Sequence, residues 1–173
     1  NDNSDSEVKE NYFVLNNKKN AMPEVFTQSD LDNLGPIEGY EVSEGVYRDV
    51  VMINGEYIQA DLITEINIAK TDDSAMTIPN NFISYLDDNG NSRGCINLRT
   101  LNLKAIKTAQ LPRTKSNSAL VLGSYNSLTE IAVPTVVSYS PTQSMEVPQY
   151  FLAEFNALEK IDLSGFNEIA YIN

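Results

Sequence analysis

The sequence predicts a repeat solenoid, mainly β with short 3-10 or α returns, and three observations lead there. Three six-residue stretches, L-R-T-L-N-L from Leu98, L-T-E-I-A-V from Leu128 and L-E-K-I-D-L from Leu158, share one template, and I-T-E-I-N-I from Ile63 fits it too, at intervals of 35, 30 and 30 residues. Three residues before each stretch stands a further apolar or aromatic position: Ala60, Cys95, Tyr125 and Phe155. A proline follows the strand in three units, at Ile78-Pro79, Leu111-Pro112 and Val147-Pro148. Recurrence at a fixed period marks a repeat architecture, and proline, which fixes φ and donates no ladder bond, suits the bend back towards the next strand.

Taken in order, residues 1–22 read as a flexible acidic tether, rich in Asn, Asp, Ser and Lys, with one apolar island at Tyr12, Phe13, Val14 and Leu15 that suits an edge strand. Residues 23–59 read as an N-terminal cap. Thr27 or Ser29 can accept from the exposed amides of a one- or two-turn helix that Gly35 ends. Asn54-Gly55, between Val50–Ile53 and Tyr57-Ile58, predicts a β-hairpin, because a type I′ turn needs positive φ at both central residues. Residues 60–173 then hold four repeat units, and a hairpin before them would hide the open end of the array.

Within each unit the fourth and sixth template positions are two apart and share one side of a strand. Ile66 and Ile68, Leu101 and Leu103, Ile131 and Val133, Ile161 and Leu163 therefore face inward. Beyond the strands the apolar residues recur at about three-residue spacing, at Ile106, then Val136 and Tyr139, then Phe166, Ile169 and Ile172, which suits a turn or a 3-10 return. The surplus length falls in D-D-N-G-N-S-R-G from Asp87 and S-Y-S-P-T-Q-S-M from Ser138, both read as protruding loops.

Composition narrows the functional classes. Lys plus Arg number 12 against 24 Asp plus Glu, a formal charge of −12, so the field opposes nucleic acid and anionic lipid and favours cationic or neutral partners. No apolar run reaches the roughly 18 residues of a spanning helix, so membrane insertion by this segment is not expected. With no His and a single Cys, the usual general base, the commonest metal ligand and a cysteine framework are all missing, and neither a cofactor nor a metal is expected.

The units resemble the BspA-like subclass of leucine-rich repeats of bacterial surface proteins. V-P-T-V at Val133, Y-F-L-A-E-F-N-A-L ending at Leu158 and C-I-N-L at Cys95 carry the likeness, which covers about Ala60 to Asn173. Two features depart from it: the intervals exceed the roughly 20 to 29 residues of ordinary leucine-rich repeats, and Thr71, Ile106, Val136 and Phe166 replace the usual Asn or Cys after the strand. The resemblance implies a leucine-rich-repeat-like stack of parallel strands and a secreted or cell-surface location. It also implies a non-catalytic role in adhesion or binding to a protein or host-surface ligand. The acidic start would suit a tether after a lipid-modified cysteine, as in a bacterial lipoprotein.

If the strands stack in parallel, the residues between the inward positions form an outward strip. Glu65, Thr100, Glu130 and Lys160 make one row and Asn67, Asn102, Ala132 and Asp162 the next, with Lys104 beside them. This strip is the expected partner-binding face. Nothing aromatic falls on it in the repeat pattern; Tyr85, Tyr125, Tyr139 and Tyr150 are placed in returns and core. Glu65 and Glu130, two rungs and roughly 9.6 Å apart, could be weighed as a carboxylate pair of a hydrolase, but a flat solvated face gives neither a raised pKa. Cys95, at an apolar position, reads as a core residue. Asp87, Asn89 and Asn91 alternate like the first ligands of a calcium loop, yet Ser92 and Leu98 stand where glycine and an acid belong, which leaves a surface turn. Asp72 and Asp73 read as a solvated loop. The runner-up to this binding role is a structural one, assembly through the open last repeat.

Overall fold

A computed structural model describes residues 10–79 and 81–111, together with short strands at 130–132, 136–139, 146–147, 160–162 and 171–172. The chain is mainly β, divided among five small sheets within those residues. This corrects the expected solenoid class: antiparallel hairpins organise much of the described chain, and the strands are short and scattered over separate sheets rather than wound as one coil. The physical reason lies in the intervals, which are long enough to hold hairpins and strands of their own.

The first correction falls on the tether. From β1 (Tyr12–Leu15) to β2 (Lys18–Ala21) the chain is an antiparallel hairpin. Its turn residues Asn16 and Asn17 take φ of 53° and 62°, the left-handed values that asparagine tolerates best among residues with a side chain. Phe13 is buried opposite Ile66, and that apolar contact draws the segment out of solvent. Residues 1–9 lie outside the described residues.

Helix α1 (Gln28–Asp32) forms where the sequence places it, for the capping reason given. The Thr27 side chain accepts from the Asp30 N–H while the Asp30 carboxylate accepts from the Thr27 N–H at 2.8 Å, a reciprocal capping box. The helix ends at Asn33, ahead of Gly35, and buries Leu31.

β3 (Ile37–Ser43), β4 (Val46–Ile53) and β5 (Glu56–Gln59) form an antiparallel sheet of three strands. Asn54 and Gly55, with φ of 54° and 75°, make the predicted turn. The expectation that this hairpin caps the repeats is corrected. β1 occupies the edge of β6 (Ile63–Asn67), whereas the three-stranded sheet lays Val51 and Ile53 onto the core.

A 3-10 turn at Ala60–Leu62 leads into β6. β6 pairs in parallel with β10 (Thr100–Asn102), β10 with β12 (Glu130–Ala132) and β12 with β15 (Lys160–Asp162), giving the order β15-β12-β10-β6-β1-β2 in a mixed sheet. Under it Ile63, Ile66, Ile68, Leu98, Leu101, Leu103 and Ile106 are fully buried with Cys95 and Phe82. Two further expectations change. Of the returns expected as turns or 3-10 segments, Ile106 keeps a turn, its N–H donating to the Leu103 carbonyl at 3.0 Å, whereas Val136 and Tyr139 fall in a strand, β13 (Val136–Tyr139), which pairs in parallel with β11 (Thr108–Leu111) as β11 does with β7 (Met76–Thr77). The loop expected from Asp87 is the tip of an antiparallel hairpin of β8 (Ser84–Leu86) and β9 (Ser92–Gly94). β14 (Glu146–Val147) pairs with β16 (Tyr171–Ile172). Most of the loop expected from Ser138, and Tyr125 and Tyr150, lie outside the described residues.

Candidate functional site

The predicted strip is assembled by backbone register. Glu65, Thr100, Glu130 and Lys160 are partnered across successive strands, as are Asn67, Asn102, Ala132 and Asp162. Residues paired across a ladder share a face, so the same outward surface continues onto the N-terminal hairpin, where Tyr12 stands opposite Asn67 and Val14 opposite Glu65. The sequence pattern of the repeats does not contain Tyr12, which comes from outside them. An aromatic therefore joins a strip that the repeats alone leave without one.

Several strip residues are already engaged. The Tyr12 hydroxyl donates to Glu65 Oε2 at 2.6 Å. Burial first, then that bond and the charges of Glu65 and Glu10, push the phenol up to about 12. Lys19 Nζ sits 4.3 Å above the Tyr12 ring and 3.8 Å from the Glu10 carboxylate. In the second row Asn102 Nδ2 donates to Asn67 Oδ1 at 2.8 Å, Asn67 Nδ2 donates to the Glu10 carbonyl at 3.1 Å, and Asn102 Oδ1 accepts from the Lys104 N–H at 3.0 Å. Asn67 and Asn102 thus tie neighbouring strands together, a role that their equal template positions could have suggested. Lys104 lies past the end of β10 and is exposed, while Thr100 is half-buried. Glu130, Lys160 and Asp162 are placed by strand register.

At the N-terminal end of β6 and β10 an open polar cleft of about 470 Å³ lies between the β1–β2 turn and the 3-10 turn, lined by Asn16, Asn17, Asp61, Leu62, Thr64, Asn97 and Arg99. Asn97 Nδ2 donates to the Asp61 carbonyl and Gln59 Nε2 to the Asp61 carboxylate, both at 2.7 Å, which fixes one wall.

A second charged group went unread in the sequence. Arg93 grips Asp49 with two hydrogen bonds of 2.8 Å from Nε and a terminal nitrogen, and Tyr85 and the Gly39 N–H also donate to that carboxylate. Desolvation alone would raise the Asp49 carboxyl, but the Arg93, Gly39 and Tyr85 contacts outweigh it and hold it below the ordinary value. Arg93 also lies 3.5 Å from Asp87 and from Glu38. The cluster clamps the β8–β9 hairpin to β4. Asn89-Gly90, the same dipeptide that lies at the turn of the Asn54-Gly55 hairpin, marks the β8–β9 hairpin but not the partner it is clamped to.

The remaining candidates settle locally. Asp87 Oδ1 accepts from the N–H groups of Asn89 and Asn91, so its carboxylate closes the hairpin tip. Asp72 accepts from the Ser74 backbone and hydroxyl, and Asp73 pairs with Lys107 at 3.1 Å. Cys95 is fully buried, and burial, then the charge of Asp61, push its thiol up to about 12. Among the described residues no group of three or more His, Cys, Asp or Glu is placed to hold a metal.

Comparison with family models, curated proteins and solved structures finds no match to this chain. The likeness to leucine-rich repeats rests on the sequence units alone.

Proposed function

We propose that this chain is a non-catalytic binding module of the cell exterior that engages a protein or surface ligand through the outer face of its six-stranded sheet. The observation that carries the reading is the register itself. Two rows of residues, all polar except Ala132 and mixed in charge, are aligned by backbone register across β6, β10, β12 and β15, and β1 adds an aromatic beside them. Such a face offers many weak, geometrically ordered contacts to an extended partner, and its charges steer encounter more than they add affinity. The surface location follows from the family resemblance.

The test is a combined Glu65→Gln, Glu130→Gln and Lys160→Gln variant in a pull-down from the native cell surface. Capture should fall while the circular dichroism spectrum stays unchanged. Undiminished capture refutes the sheet face as the binding site. Assembly is a second reading, favoured by β15 standing at one margin of the sheet among the described residues, where unpaired strand groups invite another copy. Sedimentation at increasing concentration separates the two: a monomer throughout argues against assembly.

A further inference from the structure

The cleft at the N-terminal ends of β6 and β10 takes no part in the proposed strip, and its walls are already built. Its volume of about 470 Å³ falls in the range of small-molecule sites, about 300–1,000 Å³. One wall is the 3-10 turn, which the Asn97 and Gln59 amides pin at Asp61. The other is the β1–β2 turn, where φ of 53° and 62° at Asn16 and Asn17 sets the backbone. A second cleft of about 170 Å³ also has Asp61 in its lining, together with Tyr47, Arg93 and Ile96, so the two adjoin at the 3-10 turn.

The groups left open in these walls select the ligand. Among the described residues the side chains of Asn16, Asn17 and Thr64 bond to no other protein group, and Asn97 uses Nδ2 on Asp61 while its Oδ1 stays open. Three carboxamides and a hydroxyl, each able to donate and to accept, thus line one cavity, a set that matches neighbouring hydroxyls on a ligand. Charge discriminates further. One acid, Asp61, and one base, Arg99, cancel in the larger cleft, while the whole chain carries −12. An anion therefore meets an opposing field with no surplus of bases to offset it, and a cation finds no surplus acid in the cleft. Apolar surface lies beside the polar groups: Leu62 is 36% exposed in the larger cleft, and Ile96 at 37% and Tyr47 at 56% in the smaller. Adjacent hydroxyls along an edge and apolar C–H faces above and below are the two surfaces of a pyranose ring. We infer that the two clefts together form a binding site for a neutral oligosaccharide. The carboxamides of Asn16, Asn17 and Asn97 take the hydroxyls of one sugar, and Tyr47 lies against the C–H face of the next. The site is separate from the strip on the six-stranded sheet.

The experiment is an amide-shift titration of the full chain with glucose, maltose, cellobiose and lactose, and with glucuronate and glucosamine as charged counterparts of glucose. Binding of at least one neutral sugar is expected, with shifts confined to residues 16–17, 47–49, 61–64 and 93–99. Asn16→Gly with Asn17→Gly keeps the positive-φ turn while removing both carboxamides, and should weaken binding about tenfold. No shift with any neutral sugar, shifts outside those residues, a stronger response to a charged counterpart than to glucose, or undiminished binding by the double glycine variant would each overturn the inference. Should that variant misfold, Thr64→Val with Tyr47→Ser should weaken binding instead, and an unchanged titration would overturn it. Glu130→Gln with Lys160→Gln should leave the titration unaltered; a loss there would place the site on the strip and refute the inference while leaving the strip reading intact.

Discussion

Asn11 offers the sharpest test of how the N-terminal hairpin is held. Its buried side chain donates from Nδ2 to the carbonyls of Pro23 at 2.9 Å, Glu24 at 3.2 Å and Lys70 at 2.9 Å, and its Oδ1 accepts from the N–H groups of Ala69 at 2.6 Å and Lys70 at 2.9 Å. One amide therefore joins three stretches of chain at the end of β6. Asn11→Leu keeps the volume and removes every bond. The Lys70 carbonyl still accepts from Phe26, but the N–H groups of Ala69 and Lys70 lose their acceptor. A stranded donor costs about 1–3 kcal/mol when buried, and with Lys70 at the surface the sum comes to about 3 kcal/mol. For a chain of 173 residues that lowers the melting temperature by about 6–12 °C. With no Trp in the chain, urea unfolding followed by tyrosine fluorescence is the assay. Asn11→Asp refines it: the carboxylate keeps both acceptor bonds but faces the three carbonyls without a proton, so its folded pKa should rise. The resulting destabilisation should be present at neutral pH and shrink as pH falls through that raised value. A loss below about 1 kcal/mol for Asn11→Leu would refute the reasoning, since it would mean water replaces the side chain without cost.

Three further outcomes follow from the same geometry. Asp49 is held below its ordinary pKa of 3.8, so the stability it contributes is present above that value and is lost as pH falls through the depressed folded value; Arg93→Met should flatten this acid limb of a stability-against-pH curve. Gly94→Ala should be severely destabilising in thermal melts, because φ is +98° and a Cβ would lie 2.7 Å from the Ile83 carbonyl oxygen, whereas Gly45→Ala, at φ +73° with open space, should cost only about 1 kcal/mol. Cys95 should resist a thiol reagent in the native protein and react fully in denaturant; rapid native labelling would contradict both its burial and its raised pKa.

The register of the strip was legible because a strand alternates with period two, so the spacing of Ile66, Leu101, Ile131 and Ile161 carries both which side faces in and which residues align. Capping chemistry at Thr27 and the positive-φ turn at Asn54-Gly55 were legible for the same reason: both are local, and the residues that satisfy them are adjacent in sequence. The clamp between Asp49 and Arg93 was not, because its partners are 44 residues apart and meet only once two hairpins pack.

What the amino acids settled by themselves is periodicity, turn chemistry and charge, each a property of neighbours along the chain. Tertiary packing decided which hairpin closes the edge of β6, that Val136 and Tyr139 join a strand, and that the described residues form several small sheets instead of one coil. Those outcomes depend on Phe13 finding Ile66 and on Asn11 finding Lys70, contacts whose sequence separation hides them from any local pattern.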